Sequence, residues 1–181
     1  MRLRRLREEL ADRVVIEWRA FPLRPAPDPN VSFKGTYREE AWKRCQTMAQ
    51  GDGVIFNAWA GAAYPGWSLP ALEAAKCVAR QGAAAFERIH LRLYEAFFTY
   101  GRNIADRGEV ADIVRESGAD MQRFAVDYAS GGARDEVLRD YEQAVSAHGV
   151  RAIPTVVIGA RRLQGLTELV EYRKAVEETG G

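Results

Sequence analysis

Two cysteines and two histidines are all that the 181 residues hold, and neither pair is spaced for chemistry. Cys45 and Cys77 stand far apart, and no Cys-X-X-Cys occurs anywhere, so the chain encodes no vicinal redox pair. The expectation is two separate, semi-buried thiols in a reducing compartment rather than a disulfide. His90 and His148 lack partners at metal-ligand spacing, which argues against a zinc site. Net charge is also nearly absent: 26 basic residues against 25 acidic ones leave +1. That balance offers no electrostatic case for nucleic acid or for an anionic membrane surface. No run approaches the roughly 20 apolar residues of a membrane span. The Arg-rich start is not followed by the roughly 7–15 apolar residues of a signal peptide. For the sequence as given, the expected location is the cytoplasm. No internal repeat or low-complexity tract is present.

What is there reads as alternating helix and strand around a helical block. Leu3, Leu6 and Leu10 share one face of a helix over 3–11. Val14 to Phe21 alternates, with Val14, Ile16 and Trp18 on one side and Val15, Glu17 and Arg19 on the other, which predicts a strand. Pro22, Pro25, Pro27 and Pro29 then impose an extended loop. A helix over 38–49 ends at Gly51-Asp-Gly53, and 54–64 reads as an apolar connection. From Leu69, with Pro70 in its first turn, helices follow at 69–82, 83–100, 109–117, 121–130 and 134–147. The tail reads as strands over 155–158 and 161–164 joined at Gly159-Ala160, then a helix over 167–178. Positive φ is expected at Gly149, Gly159 and Gly165, as turn and cap positions.

The most informative stretch is His148-Gly-Val-Arg-Ala-Ile-Pro-Thr-Val-Val-Ile-Gly159. A proline lacks an N–H, so Pro154 suits the start of the β-branched run that follows it. From the residues alone it is a strand-opening proline with a trans bond, since only about 5–6% of X–Pro bonds in folded proteins are cis.

Taken with three other stretches, this segment resembles the DsbA-like branch of the thioredoxin fold, in particular its cytoplasmic FrnE-type members. Val14 to Pro25 is similar to that family's second core strand and the loop leaving it. Tyr64 to Gly82 is similar to the start of its helical insertion. Leu93 to Asp106, with Ala96-Phe-Phe and Asn103-Ile-Ala-Asp, is similar to the next helix and its exit. The resemblance covers almost the whole chain. It implies an α/β, thioredoxin-like fold with a large all-helical insertion, the core being 1–60 with 149–181 and the insertion 61–148. It also implies a cis bond at Ile153–Pro154 and substrate contact by Ile153, Pro154 and Thr155.

Members of the family begin with a strand and then Cys-X-X-Cys at the head of a long helix. Here residues 3–11 match only the remainder of that helix. Arg2, Arg4, Arg5 and Arg7 lie at the positive end of its dipole, which is unfavourable at a helix start and ordinary in mid-helix. The expectation is therefore an N-terminally truncated sequence without the first strand and the catalytic dithiol. That strand would lie between 14–21 and 155–158, so its loss implies a marginal fragment, a homodimer filling the gap, or a repacked sheet. Three functions follow. The first is a protein thiol–disulfide oxidoreductase or isomerase acting on thiol or disulfide peptides, with no cofactor. The second is a glutathione-dependent isomerase or transferase of the hydroxychromene-carboxylate isomerase or kappa type. The third is a non-catalytic binding module. His90, Trp18, and the cluster Trp59, Tyr64 and Trp67 read as packing residues, the cluster also being placed to line a groove.

Overall fold

The computed structural model describes residues 1–179. Helix α1 (Arg2–Leu10) buries Leu6 and passes through a short 3-10 turn into an extended segment. After a proline-rich loop comes α2 (Tyr37–Met48), started by the Thr36 hydroxyl, which accepts from the Arg38 N–H. The helical block is α3 (Leu69–Ala79), α4 (Ala83–Tyr94), α5 (Arg107–Glu116), α6 (Met121–Ala129) and α7 (Gly132–Ser146). The hairpin β1 (Thr155–Ile158) and β2 (Arg161–Gln164) follows, and α8 (Leu169–Thr179) closes the described chain.

Helix α3 is the axis of the block, packing on α4, α5, α6 and α7. Its composition explains why: Ala71, Ala74, Cys77 and Val78 are buried on a helix with small side chains, which lets four neighbours approach. Ile89, Val110, Ile113, Val114 and Phe124 complete the core there. Glu73 lies inside the same packing, 2% exposed, and is held by Arg107 at 2.6 Å and Arg134 at 2.9 Å. A buried carboxylate needs such partners.

The second region is thinner. Helix α1 packs on α8, and α8 packs on β1. The hairpin pairs Thr155 with Gln164 through Ile158 with Arg161 in antiparallel register. At the turn, Gly159 has φ 55° and a Cβ there would stand 2.5 Å from Thr179 Cγ2, so two reasons require glycine.

Two expectations need correction. Residues 14–21 form no strand, although Val14 enters the segment extended at φ −136° and ψ 137°. The alternation survives as burial: Val15 is 93% exposed and Ala20 is buried. What is missing is a ladder partner, since the N–H groups of residues 15–19 make no hydrogen bond among the described residues. The helix expected over 83–100 changes at Glu95 into a π turn, Glu95–Thr99. That turn redirects Phe97 and Phe98 toward Trp42, at 5.2 and 5.1 Å.

Candidate functional site

The loop 148–155 is held from both sides and leaves its tip in solvent. Arg162 Nη1 donates to the carbonyls of His148 and Gly149 at 2.8 and 3.0 Å. The Val150 N–H donates to Ala144 O at the end of α7, and Val150 itself is buried. On the far side, Pro154 O accepts from the Gly165 N–H at 2.8 Å, and the Thr155 hydroxyl donates to Ala152 O at 2.6 Å. Between these anchors the Ile153–Pro154 bond is cis. Ile153 is 44% exposed, Pro154 is exposed and Thr155 is half-buried. The three residues named from the sequence are thus contiguous, pinned and accessible. β1 has a hydrogen-bonded neighbour on one edge only among the described residues.

Helix α1 is fixed by its arginines. Arg2 bonds Asp52 at 3.0 Å, Glu168 at 2.9 Å and the Thr167 carbonyl at 3.0 Å, so it ties the loop after α2 to the start of α8. Arg4 and Arg7 both bond Glu87 on α4, at 2.7 and 2.8 Å. Burial would raise the Glu87 carboxyl, but the hydrogen bonds from Arg4 and Arg7 bring it below its ordinary value. Burial, and then the charge of Arg4, lower the Met1 amino group.

His90 is packed among rings. It meets Trp18 edge to face at 4.6 Å and lies 5.0 Å from both Phe86 and Tyr94. Arg4 stands 3.1 Å from Nδ1, so that nitrogen accepts, and Nε2 faces the Tyr94 hydroxyl at 3.3 Å. Burial first, then Arg4, push His90 down to about 4. A neutral imidazole with both nitrogens engaged is a structural residue here.

Neither cysteine resembles a redox centre. Cys77 is fully buried, and burial pushes its thiol up to about 11, which suppresses the thiolate. Cys45 is exposed on α2, and both are free. Among the described residues no cluster of His, Cys, Asp or Glu is arranged to hold a metal. No described helix is long and apolar enough to cross a membrane.

The aromatic residues singled out in the sequence do meet. Trp59 lies 5.2 Å from Tyr64, which stacks on Phe33 at 5.5 Å. With Trp67 they line an open groove of about 1060 Å³ between the proline-rich loop and the segment before α3. Gly66 makes this closure possible, because a Cβ there would stand 2.1 Å from the Asp28 carbonyl oxygen. Sequence reasoning missed the Asp140 carboxylate, which accepts from the Ala20 N–H at 2.8 Å, Arg19 at 3.0 Å and Lys76 at 2.6 Å. No local pattern marks it, since its partners lie on distant segments.

The family model for the DSBA-like thioredoxin domain matches residues 1–177. The chain belongs to the DSBA-like thioredoxin family. The uncharacterized protein YwbO of Bacillus subtilis (strain 168) is 25% identical over 179 residues, covering 91% of this chain and 82% of its own. A crystal structure from Nitrosomonas europaea, provisionally named a protein disulfide isomerase, superposes with a TM-score of 0.76 at 14% identity. That match covers 98% of this chain and 87% of the other. The architecture is accordingly the thioredoxin-like DSBA fold, helix-rich, with a small two-stranded sheet.

Proposed function

We propose that this chain is the substrate-facing body of a FrnE-type protein thiol–disulfide oxidoreductase, with its Cys-X-X-Cys on residues preceding Met1, at the head of the helix that continues as α1. The DSBA-like family supports the thiol–disulfide class. One observation carries the finer reading. The N–H groups of residues 15–19, which follow the extended Val14, and the outer edge of β1 both lack a hydrogen-bonded neighbour among the described residues. An unpaired main-chain edge is a ready template for a further strand. A strand between the two edges would satisfy both, and the family's dithiol follows that strand.

In this reading the core is 1–60 with 149–181, the insertion is 61–148, and the site is cytoplasmic. Ile153, Pro154 and Thr155 present the loop beside which an extended substrate lies. The first cysteine, as thiolate, attacks one sulfur of a substrate disulfide, forming a mixed disulfide and releasing the other sulfur as a thiolate. The second cysteine then attacks the mixed disulfide. The substrate leaves as a dithiol and the protein as a disulfide. A helix N-terminus lowers the first cysteine's pKa and so favours the thiolate.

The test is insulin reduction with dithiothreitol, comparing residues 1–181 with the chain extended through its upstream reading frame. Residues 1–181 are expected at background and the extended chain well above it. Turnover by residues 1–181 that is lost in Cys45→Ser would contradict the proposal. An upstream frame with serine in the first position would transfer the reaction to the glutathione-dependent class.

A further inference from the structure

We infer that the groove between residues 27–34 and 59–67 is a docking site for an extended polypeptide segment bearing aromatic and acidic side chains. The inference rests on the preceding section only in taking that segment to be part of the oxidoreductase's protein substrate.

Three independent features meet at the groove. Its floor is aromatic: Phe33, Trp59, Tyr64 and Trp67 face it, and Trp59 is fixed by an indole N–H donating to Gly61 O at 3.0 Å. Planar rings held in place bind other rings with little loss of side-chain entropy. One wall is unpaired main chain. The N–H groups of Trp59 through Ala63, five in succession, make no hydrogen bond among the described residues. A row of free amides beside an apolar floor suits the carbonyls of an extended chain, as in strand addition.

The third feature is charge. Lys34 lines the groove and is exposed, and Arg24 and Arg38 stand over the Tyr64 ring at 6.0 and 5.8 Å. None of the three forms an ion pair among the described residues, whereas Arg107 and Arg134, over Trp67, share the single carboxylate of Glu73. The lining's acidic group, Asp28, accepts from the Asn30 N–H at 2.9 Å and keeps its charge, one negative group against the three cations. Positive charge therefore prevails at the Tyr64 end, and it calls for a carboxylate on the occupant. The groove is open, with a volume of about 1060 Å³. The row of free amides favours a polypeptide over a free aromatic acid.

The probe is a cysteine-free peptide alternating phenylalanine and glutamate, titrated against residues 1–181 by tryptophan fluorescence, with amide chemical shifts locating it. Binding is expected to shift the Trp59–Ala63 amides and to weaken about tenfold when lysine replaces the peptide's glutamates. Lys34→Glu and Ala62→Asp place a carboxylate at two exposed positions of the groove. Each is expected to weaken the glutamate peptide at an unchanged Tm. Equal affinity for both peptides, no effect of either variant, or shifts confined elsewhere would overturn the inference. N-acetylphenylalanine competing as tightly as the peptide would overturn it in favour of a small aromatic acid. Because the peptide has no sulfur, its binding is independent of the redox assay. Failed turnover by the extended chain with intact peptide binding rejects the oxidoreductase reading and keeps the groove.

Discussion

The Ala20 main-chain N–H donates to Asp140 Oδ2 at 2.8 Å, and this bond fastens the extended segment after α1 to helix α7. Asp140 is 5% exposed and also bonds Arg19 and Lys76, so one carboxylate joins three distant stretches. Its removal leaves the Ala20 amide unpaired and Lys76 without its carboxylate, while Arg19 keeps Glu17 at 2.6 Å. Asp140→Ala is expected to cost about 3 kcal/mol, read as a lowered urea midpoint with unchanged slope. Burial acts to raise this carboxyl, but the bonds from Ala20, Lys76 and Arg19 hold it below its ordinary value. A carboxyl lowered on folding contributes stability that is complete above its unfolded pKa, about 3.9, and lost as pH falls through the folded one. Asp140→Asn is therefore expected to reduce the steepness of acid unfolding below about pH 4.

His90 predicts a second, separate pH window. Its pKa of about 4 in the fold lies below the roughly 6.5 of an unfolded histidine. The unfolded chain takes up the proton first, so stability falls as pH drops from about 6.5 to about 4 and levels off below. The whole span is worth at most about 3 kcal/mol. Denaturation followed from pH 7 to 4 should show this slope, and His90→Phe should flatten it. An unchanged slope in that variant would remove His90 from the account.

The two thiols predict a simple contrast. Ellman's reagent is expected to label Cys45 at once in the native protein and Cys77 only as it unfolds. Cys77→Ala removes a fully buried sulfur and is expected to cost about 1–2 kcal/mol. Prompt native labelling of both would show that α3 is less tightly enclosed than the structure has it.

Much of this was legible before any coordinates. The β-branched run Thr155–Ile158 and the glycine after it specify a strand and a turn locally, and the structure has both. The helical block was legible for the same reason, its apolar faces repeating at helical spacing. Val14 to Phe21 was only half legible: alternation set which side chains point inward, but a ladder depends on a neighbour and no local pattern supplies one. At Glu95 the α-helical period gives way to a π turn because Phe97 and Phe98 join Trp42 and Phe56, a ring cluster assembled from three segments. The arginines of α1 read as ill-placed against its dipole. Their compensation comes from Asp52, Glu87 and Glu168, which only the fold brings near.

Intact-mass spectrometry of the protein isolated from its source cells, after reduction and alkylation in denaturant, tests the central claim most directly. The account predicts a chain longer than these 181 residues at its N-terminus, carrying two alkylated cysteines in addition to Cys45 and Cys77. A mass equal to the 181-residue chain with two adducts would contradict it, leaving the edges at 15–19 and β1 to be explained without a dithiol strand.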